Sequence, residues 1–164
     1  GFFQGRMEFG PRALGSRSII YHCNDPKINA SLNKRLQRTE FMPFAPITAE
    51  ELASDCYKGW KLNHVASRYM TMTYDCTKKM VKNCPAVVHV DETARPQIIN
   101  SRDNPLVHKI LMEWYKSTGG MSLVNTSFNK HEEPIVCSPD HAINTLIENR
   151  IDVLIIGNYI VKNL

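Results

Sequence analysis

The strongest constraint on the fold is the alternation of helix-period and strand-period segments over residues 105–161. Pro105 to Ser117 places Leu106, Ile110, Leu111 and Trp114 on one helical face, and Gly119-Gly120 ends that helix. Ser122-Leu123-Val124 reads as a short buried strand leading into an Asn125-Thr126-Ser127 turn. Ser138-Pro139-Asp140 has the grammar of a helix start, with a hydroxyl cap, proline at the first helical position and a carboxylate in the first turn. Ala142, Ile143, Leu146 and Ile147 form its apolar stripe. Asp152 to Ile156 and Tyr159 to Val161 then read as a hairpin around Gly157-Asn158. Such interleaving points to an α/β or α+β class built on a mixed sheet.

The earlier part of the chain is less regular. Ala30 to Arg38 reads as a basic helix carrying Lys34 and Arg38 one turn apart on the same face. Pro43 and Pro46 force an extended stretch after it. Ala49 to Ser54 fits one short helix, and residues 57–68 have no clear period. Tyr69 to Tyr74 alternates as a strand does, Ala86 to Val90 reads as a second strand, and Thr93 to Ile99 continues it.

Composition limits the functional classes. The longest strongly apolar run is Val153-Leu154-Ile155-Ile156, far short of the roughly 20 residues a membrane helix needs. Five cysteines without a C-x-x-C pair suggest reduced thiols and a cytoplasmic setting, not a disulfide framework or structural zinc. A net charge of +4 suits an anionic ligand, while the scatter of Lys and Arg makes nucleic acid an improbable partner. The chain opens on Gly1-Phe2-Phe3-Gln4 with no signal-peptide pattern, and residues 1–164 read as a single domain excised from a longer chain.

Four segments concentrate hydrogen-bond donors. Gly5 to Ser18 holds Arg6, Arg12 and Arg17 among three glycines and two serines. Glycines let backbone N–H groups approach an anion, and guanidinium forks match phosphate oxygens; a solvated basic loop is the plain alternative. The segment lacks the Walker A pattern. Asn33 to Arg38 adds Lys34 and Arg38. His89 to Gln97 puts His89 and Asp91 on one side of a strand end, as metal ligands, a proton relay or a structural pair, with Arg95 and Gln97 sharing a face. Leu123 to Val136 brings Asn125, Thr126, Ser127 and Asn129 to the carboxyl end of a strand, where open α/β sheets commonly bind ligands. Ser127 has no base and oriented acid beside it, so a nucleophilic serine is not indicated. The pattern reads as binding and polarising an anion.

In order along the chain, Gly5 to Ser18, Phe41 to Pro46, Ala86 to Gln97 and Asn125 to Val136 resemble the signatures of the carbamoyltransferase C-terminal domain. This is the YrdC-like half of the enzymes related to the nodulation, cephamycin and tobramycin O-carbamoyltransferases. The resemblance implies a twisted mixed sheet flanked by helices. It also implies conversion of carbamoyl phosphate and ATP, with Mg2+, into carbamoyladenylate. An N-terminal transferase domain of the full-length chain, itself the holder of iron, would then pass the carbamoyl group to a sugar or antibiotic-like hydroxyl. The motifs imply Arg38, Arg95 and Ser127 as catalytic contacts and Arg6, Arg12, Arg17, Lys34, Asn125, Thr126 and Asn129 as ATP contacts, with no metal ligand. A tRNA-binding YrdC-like module and an inactive regulatory domain are the rival readings. Two positions depart from the family pattern: Met42 stands where arginine is usual before Pro-Phe-Ala-Pro, and Glu132 where glycine is usual before Glu-Pro-Ile-Val.

Overall fold

A computed structural model describes residues 1–38 and 43–163. The strands are β1 (Phe2–Phe3), β2 (Arg17–Tyr21), β3 (Ala45–Ala49), β4 (Tyr74–Asp75), β5 (Thr93–Ala94), β6 (Gln97–Ile99), β7 (Leu123–Ser127), β8 (Val153–Ile156) and β9 (Tyr159–Lys162). The α-helices are α1 (Lys27–Arg35), α2 (Ala53–Cys56), α3 (Lys78–Asn83), α4 (Pro105–Thr118) and α5 (Pro139–Ile147). Seven strands form a mixed sheet in the order β6-β3-β7-β2-β1-β8-β9, and β4 and β5 form a separate ribbon. This is the mixed α/β architecture expected from the interleaved pattern. No described helix is long and apolar enough to cross a membrane.

The described residues divide into two compact units, 1–20, 30–38 and 125–163 in the first, 21–29 and 43–124 in the second. In the first, β1 pairs antiparallel with β2 and parallel with β8, and β8 turns back on β9. Its core is Phe3, Ile19, Leu36, Phe128, Val136, Ala142, Leu146, Ile151 and Leu154. The Ser138 hydroxyl accepts from His141 N at 3.4 Å and starts α5 as anticipated. Only Ala142 and Leu146 of the expected stripe are buried; Ile143 and Ile147 are exposed. The hairpin is confirmed, with Gly157 at φ 55°, a conformation its missing Cβ permits.

In the second unit, β3 lies parallel to β6 and α4 packs on β3. Around Thr48, three buried hydroxyls satisfy one another: Thr48 Oγ1 meets Tyr57 OH at 2.8 Å and Ser122 Oγ at 2.6 Å. The buried face of α4 is Val107 and Leu111, while Leu106 is exposed. Asn104 Oδ1 caps the helix at Val107 N, and of the expected stripe Leu111 is buried while Ile110 and Trp114 are half-buried.

Four local expectations are corrected. The helix over Ala30–Arg38 ends at Arg35, because Gln37 turns left-handed at φ 53°; Lys34 and Arg38 therefore do not share a helical face. Asn125-Thr126-Ser127 completes strand β7 instead of forming a turn. Tyr69–Tyr74 is not one strand: a 3-10 turn over Val65–Tyr69 closes on left-handed Met70, and only Tyr74 joins β4. Ala86–Val90 is not a strand either. Pro85 opens a 3-10 turn through Val87, and Pro96 separates β5 from β6.

Candidate functional site

The glycine- and arginine-rich loop is shaped by its own acidic residue. Glu8 Oε1 accepts the N–H groups of Leu14 at 2.7 Å and Ser16 at 2.6 Å, closing the loop on itself. Gly10 at φ 108° and Gly15 at φ 110° take backbone conformations that side chains disfavour. Arg17 is 4% exposed and turns inward, donating to Gln4 O, Ser16 O and Gly5 O at 2.8–3.0 Å with its guanidinium carbon 3.6 Å above the Phe3 ring. Burial pulls its pKa down, and the nearby Glu8 and Cys137 partly offset this. Arg17 thus braces the loop from within, while Arg6 and Arg12 lie exposed on it.

Three segments distant in sequence meet in this unit. Asn125 Nδ2, from the buried middle of β7, donates to Ala13 O of the loop at 3.1 Å. Arg38 Nη2 donates to Thr126 Oγ1 at 2.7 Å. His131 N reaches Leu36 O at 3.1 Å, and Phe128 N reaches Arg17 O at 3.0 Å. Burial lowers the pKa of Arg38, yet a guanidinium remains charged throughout the physiological range. Lys34 is exposed in the last turn of α1.

The turn after β7 is held by its own side chains. Ser127 Oγ donates to Asn129 Oδ1 at 2.5 Å, and Asn129 Nδ2 donates to Glu133 O at 2.7 Å. Ser127 thereby gives its proton to Asn129 and offers a ligand its lone pairs. Glu132 adopts φ 63°, the left-handed region that favours glycine. Met42 lies outside the described residues.

Arg95 belongs to the second unit. It lines a cleft of about 290 Å³ with Pro43, Phe44, Ala45, Thr73 and His89. His89 and Asp91 do not stand side by side on a strand; His89 opens and Asp91 lies within a turn closed by His89 N→Thr93 O at 2.8 Å, with Glu92 at φ 60°. Among the described residues no three His, Cys, Asp or Glu side chains are grouped to hold a metal. Glu8 and Thr93, which organise these segments, were not singled out from sequence. The only signal for Glu8 was a lone carboxylate inside an otherwise cationic loop.

Residues 1–163 match the family described as "Carbamoyltransferase C-terminus". The chain belongs to that family. Nodulation protein NolO of Bradyrhizobium diazoefficiens is 37% identical over 99% of this chain and 30% of its own length. Nodulation protein U of Rhizobium tropici is 38% identical over 79% of this chain and 22% of its own, and an uncharacterized protein of Methanocaldococcus jannaschii is 38% identical over 97% and 30%. The chain therefore spans less than a third of the length of these relatives. Full-length HypF, solved in its phosphate- and nucleotide-bound form, shares the fold at a TM-score of 0.57 and 18% identity, covering 86% of this chain and 21% of HypF.

Proposed function

We propose that the chain binds ATP and activates the carbamoyl group of carbamoyl phosphate as carbamoyladenylate, the first half-reaction of an O-carbamoyltransferase. Carbamoyl phosphate, water and ATP give carbamoyladenylate, pyrophosphate and phosphate. The observation that carries this reading is the convergence of the 5–18, 33–38 and 125–133 segments through Asn125–Ala13 and Arg38–Thr126. Segments rich in arginine, glycine N–H groups and hydroxyls suit polyphosphate, where catalysis rests mainly on positioning and charge stabilisation. The carbamoyltransferase family supports the substrate class, and the nucleotide in HypF supports ATP.

On this reading Arg38 contacts the reacting phosphate, and Ser127, an acceptor toward a ligand, contacts the carbamoyl group. Arg6, Arg12 and Lys34 supply exposed cations, with Asn125, Thr126 and Asn129 orienting the polar end of β7. Arg17 contributes by bracing the loop. Mg2+ enters with the phosphates of the nucleotide, a common arrangement for this ion. Iron belongs to the transferase domain that would precede this one, and the acceptor is a sugar or antibiotic-like hydroxyl bound mainly there.

Calorimetric titration with ATP and Mg2+ tests the nucleotide part. Saturable binding that weakens about tenfold in Arg38→Ala is expected, since a charge-assisted bond contributes roughly 1.5–3 kcal/mol. A folded chain that does not bind ATP contradicts the reading.

A further inference from the structure

The 89–93 turn carries a chain of hydrogen bonds whose direction can be worked out. Thr93 Oγ1 donates its single proton to Asp91 Oδ1 at 2.7 Å, and the same carboxylate oxygen accepts Thr93 N at 3.1 Å. These bonds hold the Asp91 carboxyl below its ordinary pKa, so it acts only as an acceptor. The Thr93 oxygen, having given its proton away, must accept at its remaining contact, His89 Nδ1 at 3.0 Å. His89 in its neutral form is therefore the Nδ1–H tautomer, and Nε2 carries a lone pair.

His89 lines the cleft that Arg95 also lines. With Nδ1 committed to Thr93, Nε2 is the ring atom left to meet a ligand. The cleft thus offers the Arg95 guanidinium and, on neutral His89, an acceptor whose tautomer is fixed. Its volume, about 290 Å³, lies at the low end of the roughly 300–1,000 Å³ of ligand sites. A fitting ligand is a small anion that also carries an N–H donor.

Resting on the proposed function, we infer that His89 is a specificity-determining residue: its Nε2 accepts from the carbamoyl NH2 of carbamoyl phosphate while Arg95 holds the phosphate. Thr93 and Asp91 are positioning residues that keep the tautomer. Acetyl phosphate, with a methyl group in place of NH2, leaves Nε2 unpaired and is rejected.

Binding of carbamoyl phosphate, acetyl phosphate and inorganic phosphate to this chain is the test. The unaltered protein should prefer carbamoyl over acetyl phosphate about tenfold, the cost of one unmade hydrogen bond. His89→Asn, whose amide nitrogen can still reach Thr93 but which lacks a group at Nε2, should lose that preference with inorganic phosphate binding unchanged. His89→Gln, which returns an amide oxygen near the Nε2 position, should restore most of it. A preference that survives intact in H89N overturns the role of His89 alone. Failure of the unaltered protein to bind carbamoyl phosphate at all overturns both this role and the reading beneath it.

Discussion

Arg38 donates to Thr126 Oγ1 across 2.7 Å, joining the segment after α1 to the carboxyl end of β7. The bond fixes a partly buried cation at a place where the chain gathers its hydroxyls and amides. Thr126→Val keeps the shape of the side chain and removes the acceptor. The apparent KM for ATP should rise about tenfold, with the circular dichroism spectrum unchanged. An unaltered KM would show that Arg38 needs no support from Thr126.

Glu8 uses one oxygen for two N–H groups, and that geometry separates two substitutions. Glu8→Gln retains an oxygen in the same place and should cost less than about 1 kcal/mol. Glu8→Ala leaves two backbone donors without a partner and should cost about 1–3 kcal/mol, read by denaturant unfolding.

Arg17 is expected to matter for stability before chemistry. Lysine cannot reproduce a fork that reaches Gln4 O, Gly5 O and Ser16 O from above the Phe3 ring. Arg17→Lys should lose about 2 kcal/mol or more of folding free energy by the same unfolding measurement.

Glu132 and Glu92 both adopt left-handed backbone, at φ 63° and 60°. Glu132→Gly and Glu92→Gly should each raise stability by up to about 1 kcal/mol, because relief of left-handed strain outweighs the added entropy of the unfolded chain. Thermal unfolding of the two variants checks the sign; a loss in both would place the strain elsewhere.

Much of the fold was legible from local chemistry. Ser138 at its cap, Gly119 after α4 and Gly157 in the hairpin follow from short-range rules, and the structure obeys them. The misread segments share a different cause. Tyr69–Tyr74 and Ala86–Val90 have strand-like composition, yet each is captured by other bonds, the local Thr71 Oγ1 to Ala66 O in one and Ala86 N to Cys23 O, distant in sequence, in the other. The donor-rich segments of the site were visible as residues. Their relation was not: Arg17 faces inward because the pairing of β1 with β2 brings Phe3, Gln4 and Gly5 alongside it, and Asn125 reaches Ala13 across 112 residues, neither of which any periodicity encodes.

Arg35 grips Asp152 through two bonds, at 2.8 and 3.0 Å, and holds that carboxyl below its ordinary range. A depressed folded pKa means that the pair adds stability above the unfolded value and loses it as pH falls through the folded one. Asp152 is 65% exposed, so the gain is about 0–1 kcal/mol. The stability difference between the protein and Asp152→Asn should stay constant from about pH 6 to 8 and shrink below about pH 4.

Pyrophosphate exchange into ATP measures the proposed adenylation directly. Labelled pyrophosphate should enter ATP only when carbamoyl phosphate is present, and Arg38→Ala should slow that exchange tenfold or more. A folded protein that binds ATP but shows no exchange dependent on carbamoyl phosphate would contradict the adenylation chemistry.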